Sequence, residues 1–350
     1  MKKYWWKVLG VVILFYTIFV GMLTPLKTGI TDASPVSLRT GRSEVLTVQG
    51  YNSFFTKEKE KLRAWLKMGS DKALAASRIE VVDDRVVRLT FDIPAYLPVE
   101  QKVKDFTLLI DSPVDGASVL PGGIVVTQDS INTALGEALW PNAEIAKLHE
   151  KAAFTFPFRN ILSETIRNTY YHVPLWMAMF IILTAGMVMS VRYLWKSNPD
   201  DDRKAMALTN VGLLLGILGL ITGAIWAKYT WGKFWSWDVK QNMTAIALLI
   251  YGAYFVLRGS FEDPEKKSKV SAVYNIFAFA SLVPLLYIIP KLTDSLHPGA
   301  GGNIAFGSQD LDNTMKLVFR PAIIGWTLLG VWIAEIVLRS ARLRDRLMEV

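Results

Sequence analysis

"VLGVVILFYTIFVGMLTPL", Val8–Leu26, holds no charged residue and follows Lys2, Lys3 and Lys7. A bilayer core is crossed by about 20 apolar helical residues. The stretch is therefore a spanning helix or the apolar part of a secretory leader. A leader would end in an A-x-A-like cleavage site. None follows, and the stretch reads as a retained helix. That reading fixes the sides: the basic residues before it stay inside, and the chain after it emerges outside.

Five further apolar stretches follow, Val173–Val191, Ala205–Ala227, Gln241–Leu257, Val270–Pro290 and Pro321–Leu338. The fourth of the six is short, and the sixth carries Glu335, which reads as snorkelling to the inner surface without a function. The composition agrees: of 350 residues 51% are hydrophobic and 20% charged, against about 25% charged in soluble proteins. The mean hydropathy is +0.28. The net charge of +8 does not fit a nucleic-acid binder, whose charges would line one face of a soluble domain. Here they sit at the ends of apolar stretches.

Those charges orient the chain. With the N-terminus inside, the inner segments hold Lys2, Lys3 and Lys7, then Arg192, Lys196, Arg203 and Lys204, then Arg258, Lys266, Lys267 and Lys269. The tail adds Arg339, Arg342, Arg344 and Arg346. Every inner segment is basic, as the positive-inside rule requires. Both termini are expected in the cytoplasm, with the protein a multi-pass one of the inner (cytoplasmic) membrane.

The long outer insert is a domain of its own, so the expected division is 1–26 (first helix), 27–169 (insert) and 170–350 (a five-helix core with a tryptophan loop at 230–240). In the insert, "EVLTVQGYN", "SRIEVVDDRVVRLTFDIP", "DFTLLID" and "GGIVVTQ" alternate apolar and polar residues between Gly, Pro and Asp turn signals. That is the pattern of a half-buried antiparallel sheet. "FFTKEKEKLRAWLKMG" suggests a short helix within it, and from Ser130 to Glu164 the pattern turns helical and amphipathic. The fold class expected is thus membrane all-α, six transmembrane helices, with an inserted extracytoplasmic β-sandwich-like domain.

The absence of cysteine excludes disulfides, thiolate metal sites and a C-x-x-C-H haem attachment in this chain. Imidazole chemistry has three candidates, His149, His172 and His297. His149, in "NAEIAKLHEKAAF", reads as solvated or packed. His172 opens the second span in "RNTYYHVPLWMAMF", with Pro174 tolerated in the first turn. His297 follows the fifth span in "KLTDSLHPGAGGN", before a glycine-rich turn that lets backbone approach a ligand. Each alone suits an inert interfacial histidine. Together they lie at one outer edge, beside "TWGKFWSWDVK", Thr230–Lys240.

If that stretch is helical, Trp231, Phe234, Trp235 and Asp238 share a face and Trp237 points elsewhere. An aromatic interfacial belt explains Trp5, Trp6, Trp176 and Trp195. It accounts poorly for the density and the aspartate of "WGKFWSWD". Two imidazoles over an aromatic floor suit a haem, with Arg167, Lys228, Lys233, Lys240 and Arg320 as candidate propionate partners. Asp238 is read as fixing an indole N–H or a backbone amide, not as an iron ligand.

These motifs resemble the cytochrome c assembly proteins of the CcmC/CcmF/CcsA family. "WGKFWSWD" is similar to their tryptophan-rich WWD signature, "YYHVP" to the H-V-P that opens the following helix in CcmC members, and "DSLHPG" to their second histidine. "GAIWAKYTWGKFWSWD" extends the likeness upstream. The resemblance covers Arg167 to the C-terminus and, loosely, the first span. It implies a haem-handling protein without catalysis of its own, with haem b held on the periplasmic side. His172 and His297 would be the axial iron ligands, with Trp231, Trp235, Trp237 and Asp238 in the haem-contact segment.

The implied partners are a CcmE-type haem chaperone, the CcmA/CcmB ABC-transporter pair, a CcmD-like small protein and membrane lipid. No P-loop occurs, so ATP use would belong to the partners. The large insert departs from CcmC members, whose first outer loop is short. The alternatives are direct CcsA-like delivery to apocytochrome c and a bis-histidine b-type haem redox subunit. The second would want histidines stacked at two depths, and none lies within a span.

Overall fold

The computed structural model describes residues 4–69, 72–140, 145, 147–151, 154–297 and 311–348. The chain forms two compact units: Met1–Thr24 with Thr165–Val350, and Pro25–Glu164. Its helices are α1 (Trp5–Leu23), α2 (Thr133–Leu139), α3 (His172–Lys196), α4 (Pro199–Trp231), α5 (Val239–Gly259), α6 (Pro264–Val283) and α7 (Asn313–Met348). All but the short α2 belong to the first unit, and those six are long and apolar enough to cross a membrane. The first helix therefore groups with the other five. The fold is the expected membrane all-α bundle with an inserted β domain.

The bundle is organised by small residues. Gly212, Gly216, Gly219 and Gly223 recur along one face of α4. A Cβ on them would meet Leu183, Met179, Trp176 and His172 of α3 at 2.3, 3.0, 2.8 and 2.6 Å respectively. Both sets repeat at four, three and four residues in opposite directions, so an antiparallel pair of helices interlocks along its length. Gly10 of α1 faces Leu328 of α7, and Gly325 faces Ile13 and Leu14 in return. Pro321 sits inside α7 and has no N–H for the carbonyl of Leu317. Tyr16 of α1 donates its hydroxyl there at 3.2 Å. In lipid such a repair is required, because water is absent.

At the end of the bundle where α3 stops, acids and bases pair. Asn198 caps α4, and Asp200–Asp202 occupy its first turn. Asp200 meets Arg342 and Lys204, Asp202 meets Arg258 and Ser268, and Arg203 meets Asp345. Glu335 is not a lone snorkelling acid: it pairs with Lys7 and Arg339.

In the inserted domain, one sheet holds β1 (Gly29–Ser34), β3 (Arg42–Tyr51), β7 (Val86–Ile93) and β6 (Arg78–Val81) in that order. The other runs β2 (Ser37–Arg39), β9 (Gly116–Thr127), β8 (Val103–Ser112), β4 (Arg63–Met68), β5 (Lys72–Ala75). Alternation places Leu46, Val48, Leu89 and Phe91 of the first with Leu66, Phe106, Leu108 and Ile124 of the second in one core. Trp140 closes it, its ring tilted against Phe106 with centroids 5.2 Å apart and its indole N–H donated to Tyr96 O.

Two local expectations fail here. "FFTKEKEKLRAWLKMG" forms a single 3-10 turn, Lys59–Lys61, and then strand β4, whose every second residue is core. Between Ser130 and Glu164 the described residues are helical only in α2 and at the start of a 3-10 stretch, Ser163–Tyr170. Phe156 and His149 bond distant partners instead: Lys27 N bonds Phe156 O, Phe156 N bonds Pro25 O, and Ala117 N bonds His149 O. A backbone paired this way has no groups left for a helix.

The Arg258–Asp202 pair is bidentate and nearly buried, with 17% and 8% of the side chains exposed. Arg258→Ala strands a buried carboxylate and is expected to cost about 3–5 kcal/mol, seen as a lower thermal unfolding midpoint in detergent. Ser268→Ala, which leaves the ion pair whole but removes one hydrogen bond to the carboxylate, is expected to cost less, about 1.5–3 kcal/mol.

Candidate functional site

α4 ends at Trp231 because Gly232 adopts φ +82°, and its N–H closes the helix on Lys228 O. The conditional helical face of Trp231, Phe234, Trp235 and Asp238 is thereby corrected: residues 232–238 form an irregular turn between α4 and α5. Two side chains of α5 hold the turn from below. Gln241 Oε1 accepts from Ser236 N and Oγ, and Asn242 Nδ2 donates to Trp237 O. Trp237 itself has φ +59° and is 78% exposed. Its ring stands perpendicular to that of Trp235, with centroids 6.4 Å apart. The tryptophans are thus not one flat floor: Trp231 packs edge-on against His297 at 4.8 Å, while Trp235 and Trp237 form a separate corner.

Asp238 is the node. Its carboxylate caps α5 through Lys240 N and accepts from Ser295 Oγ, Leu296 N at 2.8 Å and His297 Nδ1 at 2.8 Å. The expected backbone amides are there, but no indole N–H. In its place is the imidazole, which no sequence pattern announced. Burial alone would raise the Asp238 carboxyl. The Leu296 N–H, the Ser295 hydroxyl and His297 outweigh it and hold the acid below the usual carboxylate range. Burial pushes the His297 imidazole down, against the attraction of Asp238. The pair is therefore a neutral imidazole donating Nδ1–H to a carboxylate, and its Nε2 has no partner among the described residues.

His172, at the first turn of α3, has Nδ1 3.0 Å from Gly219 O and 3.2 Å from Thr222 Oγ1. A carbonyl only accepts, so Nδ1 carries the proton, and Nε2 has no hydrogen-bond partner among the described residues. Trp176 and Trp226 stand edge-on around the ring at 6.2 and 5.8 Å. Trp176 thus also walls the histidine, and Trp195, 81% exposed, suits an interfacial belt. His172 lies within electrostatic range of both His297 and Lys240.

Of the candidate cations, Lys240 is the one sensed by both imidazoles. Arg167 bonds the carbonyls of Gly21 and Thr24, and Lys228 bonds Gly232 O. Lys233 and Arg320 are exposed. The glycine-rich turn after His297 lies outside the described residues. His149 belongs to the inserted domain, where its N and Nδ1 bond Asp111.

The arrangement presents two oriented imidazole nitrogens, an aromatic wall and a cation. A haem fits that donor set: iron takes neutral imidazole on both faces, the macrocycle takes aromatic walls, and a propionate takes a lysine. Sequence reasoning missed Gly219, Thr222, Gly223, Trp226, Gln241, Asn242 and Ser295. The four-three-four glycine spacing was the signal available for the first and third.

The family model described as "Heme exporter protein C" matches residues 148–349, more than half of the chain. The chain belongs to that family. Among its relatives, the Heme exporter protein C of Bradyrhizobium diazoefficiens is 26% identical over 183 residues, 52% of this chain and 68% of the relative. That of Paracoccus denitrificans is 26% identical over 52% of this chain and 73% of its own. The Escherichia coli K12 protein is 22% identical over 197 residues, 50% of this chain and 78% of its own. The family match begins at residue 148, beyond both sheets of the inserted domain.

Two outcomes are expected. Gly223→Ala places a methyl 2.6 Å from His172 Cε1 and should displace the imidazole, changing its NMR resonances, while Gly252→Ala, with open space around it in α5, leaves them alone. The downward shifts of Asp238 and His297 mean that both groups stabilise the folded site above their ordinary values, 3.8 and 6.5. That stabilisation is lost as pH falls from those values through the depressed ones. In ¹⁵N-histidine spectra, wild-type His297 should be the Nδ1–H tautomer and protonate below 6.5. Asp238→Asn should move its titration lower still, because the attraction that raises it is gone.

Proposed function

We propose that this protein binds haem b between His172 and His297 and presents it for cytochrome c maturation, as a carrier without a catalytic step. The observation that supports this best is the matched wiring of the two imidazoles. Each has Nδ1 tied, one to Gly219 O and one to Asp238, and neither Nε2 has a partner among the described residues. Haem supplies an iron that accepts both nitrogens. The protein's part is to hold them: the α3–α4 interlock sets His172, and the Asp238 node sets His297. Trp231 walls the second imidazole, and Lys240 offers a charge to a propionate. The exposed Trp237, with the half-buried Trp235 beside it, lies where a receiving protein would reach the ligand.

The basic inner segments support a cytoplasmic placement of both termini in the inner membrane, which puts the haem site on the periplasmic side. The acceptor proposed is a CcmE-type haem chaperone, working with a CcmA/CcmB ATPase pair and a CcmD-like small protein.

The test is the absorption spectrum of the detergent-purified protein beside the His172→Ala/His297→Ala double variant. A low-spin Soret and α/β signature is expected in the first and its loss in the second. Each single variant is expected to lower retained haem and abolish cytochrome c maturation. Full maturation by both single variants would defeat the assignment of the two ligands.

A further inference from the structure

α7 is 36 residues long, about 54 Å of helix at 1.5 Å per residue, against about 30 Å of hydrocarbon to cross. One of its faces repeats at steps of three and four: Gly325, Leu329, Trp332, Ile336, Ser340, Leu343, Leu347. α1 covers the first part of that face. Gly325 packs on Ile13 and Leu14, and Lys7 lies 5.4 Å over the Trp332 ring and 2.6 Å from Glu335. α1 starts at Trp5, and beyond that level the same face is open among the described residues. Ile336 is 54% exposed, Leu343 58% and Leu347 77%. Ser340, the small residue between them, leaves a groove that Ile336, Arg339, Leu343, Arg344 and Leu347 line with it.

The acids at this end of the bundle are already engaged. Asp200 holds Arg342 and Lys204, Asp201 lies 3.4 Å from Arg192, Asp202 holds Arg258, and Asp345 holds Arg203. Glu335 is divided between Lys7 and Arg339, and half of the Arg339 side chain stays exposed. Arg344, exposed on the open face, has no partner among the described residues. The groove therefore carries positive charge that the acids around it do not neutralise.

Its lining has two natures, aliphatic side chains in line and guanidiniums beside them. A dissolved anion would leave Ile336 and Leu343 in water, and a wholly apolar partner would leave Arg344 without a counter-charge. A phosphate joined to acyl chains meets both demands, and a guanidinium takes phosphate oxygens in pairs. The start of the groove also lies where headgroups are. Lys7 sits 5.1 Å over the Tyr4 ring, Tyr4 and Trp5 are exposed, and such residues settle at headgroup depth.

We propose that the open groove of α7 holds one anionic phospholipid, its phosphate on Arg344 with Arg339 beside it and an acyl chain along Leu343 and Ile336. The proposal rests on the membrane-spanning bundle and is independent of the haem reading.

The experiment titrates the full chain, in a neutral detergent, with phosphatidylglycerol or with phosphatidylcholine as the uncharged probe, and counts bound lipid by native mass spectrometry. The first phosphatidylglycerol is expected to bind about fivefold tighter or more, the worth of one arginine at an anionic membrane surface. Arg344→Gln is expected to remove that preference and Arg344→Lys to keep part of it. Leu343→Ser is expected to weaken phosphatidylglycerol binding severalfold, and excess inorganic phosphate to leave the lipid in place. Both changed side chains are exposed, so far-UV circular dichroism should stay as in the wild type. Equal affinity for the two lipids, or a preference that survives Arg344→Gln, would overturn the proposal. So would displacement by inorganic phosphate, the mark of a site for a free anion. A two-chain mass lost with Leu343→Ser would overturn it as well, by making the face a contact between copies.

Discussion

The constraint on which the bundle depends is the close approach of α3 and α4. With no water to expel, helices in lipid gain little from apolar contact and rely on packing. The α4 glycines remove the side chains that would keep the backbones apart, and the large residues of α3 enter the space. His172 occupies the last of those positions. Its ring is therefore located by the whole helix pair, and its Nδ1 reaches a helix carbonyl, Gly219 O. A helix carbonyl is normally spent on the N–H four residues on. Sharing it with an imidazole demands the short distance that only glycine permits.

The other histidine is located by charge. Asp238 gathers a helix cap, a hydroxyl, a loop amide and an imidazole at one carboxylate. A buried acid is costly unless its oxygens are occupied, and here they are. The arrangement explains why the tryptophan-rich turn ends in an acid: the residue that starts α5 also fixes what faces the turn.

The spans were legible because their signal is additive, and twenty apolar residues outweigh any local ambiguity. Both bundle histidines and the tryptophans were legible as unusual residues at one edge. Their arrangement was not. The helical reading of Trp231–Asp238 needed Gly232 to continue a helix, and it adopts a left-handed conformation instead. The partner of Asp238 is fifty-nine residues away in sequence, and no local pattern reaches that far. In the insert, alternation marked the strands, while among the described residues of 130–164 the amphipathic pattern gave only the short α2, with His149 and Phe156 pairing their backbone to distant residues.

The two imidazoles differ in what their displacement entails. Moving His172 means sliding one helix against another along an interlocked seam, so its position is as stiff as the bundle. Moving His297 means opening the contacts of a single carboxylate while every helix stays in place. One imidazole is thus anchored by steric fit distributed along two helices, the other by hydrogen bonds that converge on a single side chain.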